Sequence, residues 1–208
     1  MTSGKDSSGL NEVLRFTQLA SKLKTVCRQG WIDRGVNDPE SVADHSWSVA
    51  LLSWTLAGER EDLDRDRVLL LGLVHDLPEA LAGDATPFDG QRDETGLIAA
   101  EYFANAPTYS TAAKDAKRQA EERALDEMLD GLPDSLSVEI RDAWREYEDA
   151  ETPEARFVKQ VDKLETVIQA KTYAAGQPEL QIESFRQGAR RDIQDPQLRR
   201  ILEKLFDG

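Results

Sequence analysis

The stretch that decides the fold runs from residue 64 to residue 82 and reads DRDRVLLLGLVHDLPEALA. Its apolar part, residues 68–77, is too continuous for a surface helix and favours a helix buried at the centre of the domain. Pro78 has no N–H donor and its ring clashes with the preceding turn, at a cost of about 3 kcal/mol inside a helix. We therefore expect a kink or a helix junction directly after the pair His75-Asp76.

Helical periodicity dominates the rest of the chain, and no segment shows sustained alternation of polar and apolar residues. The apolar stripe of a first helix starts at Leu10, and this helix should end near Gly30. Ser41 begins a capping-box pattern with Asp44, and Thr152 is an N-cap residue followed by proline. Further helices are predicted over residues 41–58, 64–82, 97–106, 111–129, 134–150, 152–176, 179–190 and 196–206. The predicted fold class is all-α, a compact helical bundle.

The length of 208 residues suits one domain with a sizeable core, because folding at this size buries about 70% of the unfolded surface. We assign residues 10–208 to this single domain. Residues 1–9 are polar and contain several Ser and Gly, which predicts a flexible N-terminus. Residues 88–110 lie in a region with Gly, Pro and Asp and are expected to form a loop insertion.

The formal net charge of -14 and the pI near 4.6 argue against a nucleic-acid polymer or an anionic membrane as partner. A charged small substrate would then need a local basic pocket. The acidity also fits simple solubility or a saline habitat. Cys27 is the single cysteine, which excludes an intramolecular disulfide. With no apolar leader and no apolar run long enough to span a bilayer, we expect a cytoplasmic protein.

The chain contains only two histidines, His45 and His75, and each has an aspartate beside it. Imidazole nitrogen and carboxylate oxygen together suit divalent ions such as zinc, manganese, cobalt or iron. Asp162 lies on the flank of the apolar stripe of its helix, where a half-buried carboxylate needs a partner. His45, His75, Asp76 and Asp162 would give such an ion four protein ligands.

Two further acids lie near this pattern. Glu79 follows His75 by one helical turn on the same face, the placement of a general base that takes a proton from water activated by the ion. Asp84 could reach the same centre from a loop. Simpler interpretations stay open at this point. A lone buried histidine is usually a satisfied core residue, Asp162 could form a surface ion pair with Lys159 or Lys163, and Glu79 and Asp84 could be solvated acids.

The order and helical context of these residues resemble the H…HD…D signature of the HD-domain metal-dependent phosphohydrolases. Several other motifs are similar to the 5'-deoxynucleotidase branch of that family. They are LK…R at 23–28, GW..R at 30–34, PESVADH at 39–45, VHD..E at 74–79, GD at 83–84, EYE at 146–148 and ARFVKQVD at 155–162. The resemblance covers about residues 10–206 and implies a helical bundle of the HD-domain type.

The resemblance implies a phosphomonoesterase that hydrolyses deoxyribonucleoside 5'-monophosphates to deoxynucleoside and phosphate. It implies one divalent ion, cobalt, manganese, magnesium, zinc or iron, held by His45, His75, Asp76 and Asp162. By position, the expected catalytic residues are Glu79, Asp84 and Arg28. Glu79 would activate or position the attacking water, and Arg28 would orient the phosphate, since a guanidinium binds two phosphate oxygens. The expected substrate contacts are Arg28, Trp31, Asp84 and Thr86.

Two features depart from the family pattern. In the bacterial members a tryptophan follows the arginine directly, whereas Gln29 and Gly30 separate Arg28 from Trp31. This difference bears on discrimination against a 2'-hydroxyl. Residues 88–110 also form a longer segment than close relatives are expected to have. They could be a lid or a dimer contact, but a tolerated surface insertion is favoured.

Two other functions stay open. One is an HD hydrolase of another phosphorylated nucleotide, a phosphodiester or an alarmone, because fold does not fix function. Triphosphohydrolase members should need more basic residues than Arg28 and Arg34 visibly offer. The other is a nucleotide-binding protein without turnover, which would not require both Glu79 and Asp84. A homodimer is expected, because two-fold dimers are common among soluble proteins.

Overall fold

The computed structural model describes residues 3–207, with side chains described from Gly9 onward. The α-helices of this part of the chain are α1 (Ser3–Ala20), α2 (Gln29–Ile32), α3 (Val42–Leu56), α4 (Arg65–Val74), α5 (Glu79–Ala82), α6 (Thr111–Leu129), α7 (Asp134–Asp149), α8 (Pro153–Gly176), α9 (Glu183–Asp192) and α10 (Pro196–Asp207). Short 3-10 turns lie at Ser21–Lys24, Ala57–Glu59, Asp89–Gln91 and Ala100–Ala104. Within residues 3–207 there is no β-strand. The predicted all-α fold is confirmed.

Local signals in the sequence place several helix ends where they were expected. The Ser41 hydroxyl accepts the Asp44 N–H and the Asp44 carboxylate accepts the Ser41 N–H, so the capping box at the start of α3 is present. The Thr152 hydroxyl accepts the Ala155 N–H at the start of α8. α4 ends before His75 and α5 begins just after Pro78, which confirms the predicted helix junction.

The first predicted helix was wrong at its C-terminal end, because α1 stops at Ala20 and the chain continues through a 3-10 turn and the short α2. The physical reason is tertiary pairing. Cys27 forms an isolated antiparallel bridge with Ser41, and the Arg28 N–H donates to the Glu40 carbonyl at 3.0 Å. The backbone is thereby drawn out of a helix and pairs with the segment that leads into α3.

At the N-terminus, α1 already begins at Ser3. Flexibility of residues 1–9 stays a prediction, and Met1 and Thr2 lie outside the described residues. The predicted helix over residues 97–106 is reduced to the turn Ala100–Ala104. Phe88, Ile98 and Phe103 form a small apolar cluster of their own in this segment.

The centre of the fold is the contact of α3, α4 and α8, whose fully buried residues include Val49, Leu71 and Val158. α3 and α4 approach closely at Gly72. A Cβ atom added there would lie 2.7 Å from the Ala50 Cα, so glycine is required by space and not by backbone conformation. None of the described helices is long and apolar enough to cross a membrane.

Candidate metal centre and active site

The four predicted metal ligands come together where the three central helices meet. His45 lies in the first turns of α3, His75 and Asp76 in the turn after α4, and Asp162 on α8. The close approach of α3 and α4 brings the two imidazole rings together edge-on, with their centroids 5.3 Å apart. Both imidazoles are buried, and Asp162 is only 6% exposed.

One nitrogen or oxygen atom each of His45, His75 and Asp76 lies within 4.8 Å of the others, whereas Asp162 contacts this group at His45. His45 Nε2 lies 3.3 Å from His75 Nε2, 3.3 Å from Asp162 Oδ1 and 3.7 Å from Asp76 Oδ2. His75 Nε2 lies 3.2 Å from Asp76 Oδ2. Bonds of about 2.0–2.2 Å to a tetrahedral ion would place neighbouring ligand atoms roughly 3.3–3.6 Å apart. The donors of His45, His75 and Asp76 therefore fit a divalent ion in chemistry and in spacing, and Asp162 lies beside them through its contact with His45.

The opposite nitrogen of each imidazole is held by an acceptor. His45 Nδ1 lies 2.7 Å from Glu165 Oε2, and His75 Nδ1 lies 2.8 Å from the Gly72 carbonyl. Because an acceptor faces each Nδ1, the proton belongs there and the Nε2 atoms face the centre. Glu165 was not among the predicted site residues. It lies one turn after Asp162, a spacing that could have indicated it.

The charges around the centre shift the pKa values of its members. Burial and Arg28 oppose a charged His45, but hydrogen bonds to Asp162 and Glu165 outweigh them and raise its pKa to about 9. Burial would raise the pKa of Asp76, yet the neighbouring His75 and Arg28 hold it well below its usual range. An ion that takes His45 Nε2 must therefore displace a proton, while the carboxylate is already charged.

The two oxygens of Asp162 have different surroundings. Oδ2 accepts hydrogen bonds from Lys163 at 2.8 Å and from the Tyr147 hydroxyl at 3.3 Å, whereas Oδ1 faces His45. Burial opposes ionisation of Asp162, but Lys163 and His45 keep its pKa well below the usual range. Asp162 therefore does pair with Lys163, as the alternative interpretation had it. The pair is not a surface one, however, because the Asp162 carboxylate is buried and its other oxygen faces His45.

Glu79 is not the solvated acid that remained an alternative. It is 1% exposed, its Oε1 lies 3.1 Å from Lys117 Nζ, and its Oε2 is buried without a hydrogen-bond partner in the described part of the chain. Burial and the carboxylates of Asp76 and Asp84 raise its pKa well above the usual range, against the effect of Lys117. A carboxylate with raised pKa and one free oxygen is suited to accept a proton.

Arg28 lies beside the metal-ligand cluster. Its Nη1 is 3.1 Å from Asp76 Oδ2 and 3.7 Å from Asp84 Oδ1. The second oxygen of Asp84 accepts the Gln29 N–H at 2.8 Å, which fixes the loop acid against the start of α2. Burial opposes the charge of Arg28, but Asp84 and Asp76 outweigh it and raise its pKa. Arg28 is therefore a permanent, oriented cation at this edge of the site.

A cleft of about 550 Å³ opens onto these groups, and its wall includes every predicted substrate contact: Arg28, Trp31, Asp84 and Thr86. The Trp31 ring is only 2% exposed and packs on Tyr173 and Phe185, while its indole N–H donates to Glu40. Trp31 thus supports the wall from behind. Part of the predicted insertion, at Ala106 to Tyr109, also lines the cleft.

A family model described as the HD domain matches residues 20–201 of the chain. The chain belongs to the HD-domain family. The 5'-deoxynucleotidase HDDC2 of Xenopus laevis is 36% identical over 170 residues, which are 82% of this chain and 73% of the relative. The Homo sapiens HDDC2 is 36% identical over 165 residues, 79% and 70% of the two chains. The Schizosaccharomyces pombe 5'-deoxynucleotidase hdd1 is 32% identical over 165 residues, 77% and 72%.

Solved structures agree with this HD-domain assignment. A conserved hypothetical protein from Pyrococcus furiosus superposes with a TM-score of 0.69 at 28% identity, covering 94% of this chain and 99% of that chain. A predicted metal-dependent phosphohydrolase from Magnetospirillum magnetotacticum gives a TM-score of 0.69 at 24% identity, covering 100% and 95%, and supports the fold alone. The HD-domain family comprises metal-dependent phosphohydrolases, and this chain is an HD-domain hydrolase.

The HD-domain cleft also contains cations that sequence reasoning missed: Lys114, Lys117, Arg118, Lys159, Lys163 and Arg191. The cleft wall therefore offers more basic residues than Arg28 and Arg34, so the sequence argument against a triphosphohydrolase no longer holds. Arg34 itself is not free for substrate, since its nitrogens donate to Gln181, Gly30 and Ser184. Its guanidinium lies 4.0 Å from the Phe185 ring centroid and 4.2 Å from that of Phe103. Burial lowers the pKa of Arg34 to about 10.

Proposed function

We propose that this HD-domain protein hydrolyses deoxyribonucleoside 5'-monophosphates to deoxynucleoside and phosphate. The observation that carries the proposal is the close group of two imidazole nitrogens and one carboxylate oxygen, from His45, His75 and Asp76. Asp162 contacts this group at His45, and Glu79 with its free buried oxygen lies beside it. Such a donor set next to a proton acceptor suits metal-assisted hydrolysis. The named activity of the 5'-deoxynucleotidase relatives supports the choice of substrate.

In this proposal one divalent ion is held by His45, His75, Asp76 and Asp162. When bound, it supplies Lewis-acid polarisation of a phosphate oxygen and makes a nearby water easier to deprotonate. The identity of the ion among cobalt, manganese, magnesium, zinc and iron is decided by availability as much as by this mixed nitrogen and oxygen set.

Protein groups carry the remaining steps of the proposed reaction. Glu79 accepts a proton through Oε2 from the attacking water, whose oxygen forms the new bond to phosphorus. The bond from phosphorus to the 5'-oxygen breaks, and this oxygen takes up a proton from solvent while Glu79 returns its own proton to solvent. The OH of the attacking water thus stays on the phosphate, and the deoxynucleoside gains one proton. Arg28 binds phosphate oxygens and is held in place by Asp76 and Asp84.

We further propose that Asp84 and Thr86 line the sugar side of the cleft and that Trp31 shapes that side by supporting its wall. A homodimer is also proposed, on the general frequency of two-fold dimers. Light scattering of the purified protein tests it, and a monomer mass would contradict it.

The test is phosphate release by metal-stripped protein reloaded with each of the five ions. The panel contains ribo- and deoxyribonucleoside 5'-monophosphates, a nucleoside triphosphate, a pyrophosphorylated alarmone and a phosphodiester. We expect metal-dependent release that favours deoxynucleoside monophosphates. Turnover of a different substrate class would replace the proposed substrate, and bound metal and nucleotide with no turnover of any of them would indicate a binding protein.

A further inference from the structure

Lys117 on α6 joins two buried carboxylates. Its Nζ lies 3.1 Å from Glu79 Oε1 and 2.8 Å from Glu121 Oε1, one turn farther along the same helix. Both glutamates are buried, and a buried carboxylate is costly unless a cation or hydrogen bonds compensate it. Lys117 is the cation that contacts both of them.

This contact divides the oxygens of Glu79 into one that is held and one that is free. Oε1 is taken by Lys117, and Oε2 is buried without a hydrogen-bond partner among the described residues. Asp162 has the same division, since Lys163 holds Oδ2 and leaves Oδ1 toward His45. In both acids a lysine outside the predicted ligand set fixes the carboxylate through a single oxygen.

We propose that Lys117 is a positioning residue for Glu79: it holds Oε1 so that Oε2 stays oriented to accept the proton of the attacking water. The inference rests on the proposed function, because it assigns a role within that reaction. Lys117 acts through Glu79 and does not bind the phosphate. Its removal should therefore lower kcat and leave KM and inhibition by inorganic phosphate nearly unchanged.

The experiment compares steady-state kinetics of the metal-loaded wild type with those of Lys117→Met, Lys117→Arg and Arg123→Met. Arg123 is the matched control, an exposed cation on the same helix outside the cleft. Misplacement of a reacting group by about 1 Å can cost about a hundredfold in rate, so kcat of Lys117→Met should fall roughly tenfold to a hundredfold. Lys117→Arg should recover part of the loss, and Arg123→Met should match the wild type.

A double-mutant cycle with Glu79→Gln decides how Lys117 acts. It also removes one of the two buried charges, those of Glu79 and Glu121, that Lys117→Met leaves uncompensated. If Lys117 acts through Glu79, Lys117→Met should lower kcat no further in the Glu79→Gln background. Two results would overturn the inference. One is a double variant whose loss in kcat equals the product of the losses in the two single variants. The other is a Lys117→Met variant with unchanged kcat but a raised KM and a raised inhibition constant for phosphate. A wild type that hydrolyses no monophosphate would instead overturn the proposed function.

Discussion

Replacing Glu165 by Gln should weaken metal binding without unfolding the protein. Glu165 is 6% exposed, and its Oε2 lies 2.7 Å from His45 Nδ1. Gln has nearly the same shape but no charge. A hydrogen bond to a charged group is worth about 1.5–3 kcal/mol and a neutral one about 0.5–1.5 kcal/mol, so the change removes about 1–1.5 kcal/mol from the orientation of His45.

A free-energy loss of about 1.4 kcal/mol corresponds to a tenfold weaker affinity. Losses of an outer partner of a metal-binding histidine typically cost about 10–100-fold. We therefore expect the dissociation constant for manganese or cobalt to rise at least about tenfold in Glu165→Gln. The assay is a titration of metal-stripped protein in competition with a chelator of known affinity, with the melting temperature recorded for each variant.

Glu40→Gln is the matched control for this titration. Glu40 belongs to the same group of neighbouring acids around His45, but its Oε1 accepts the Trp31 indole N–H at 2.9 Å. Its neutralisation should leave metal affinity within about twofold. If Glu165→Gln binds metal as tightly as the wild type, the orienting hydrogen bond is unimportant. If Glu40→Gln weakens binding equally, the effect is one of general charge and the reasoning about His45 fails.

Three further substitutions test the remaining parts of the site. Gly72→Ala places a Cβ 2.7 Å from the Ala50 Cα; such overpacking should destabilise the fold by about 1–3 kcal/mol in urea unfolding, and an unchanged midpoint would contradict the close helix contact. His45→Ala should abolish stoichiometric metal content by elemental analysis, and full metal content would refute its assignment as a ligand. Glu79→Gln should lower kcat roughly a hundredfold or more while metal binding persists, as expected for loss of a proton acceptor; equal activity would remove Glu79 from the mechanism.

Local chemistry explains which parts of the fold were predictable. Pro78 interrupts the central helix through its own covalent structure. Ser41 and Thr152 cap helices through hydrogen bonds to residues three positions along the chain, so these features can be read from local sequence. The bounds of α6, α7 and α8 also agree with their predictions to within one residue. The end of α1 was not predictable in this way. Pairing of Cys27 with Ser41 comes from chain segments that sequence periodicity does not relate.

The residues of the site likewise include some that the sequence indicated and some that it did not. His45, His75 and Asp76 were recognisable because imidazole is scarce in this chain and a carboxylate beside it forms a typical donor set, whereas Asp44 beside His45 caps α3 instead. Lys117 and Glu165 were not recognisable, since the chain has 26 basic and 40 acidic residues and most of them are solvated. Only packing distinguishes a buried, paired charge from an exposed one.

The pairing of charges also explains how so acidic a chain can form a site for an anionic substrate. Arg28 is held by Asp76 and Asp84, Lys117 by two glutamates, and Lys163 by Asp162. Each cation is thus fixed by acids that also line the cleft. The net charge of -14 describes the surface seen at long range, whereas a phosphate in the cleft meets Arg28 at contact distance, where local charge dominates over the distant acids. The global acidity therefore argues against extended polyanions as partners without arguing against a small phosphate ester as substrate.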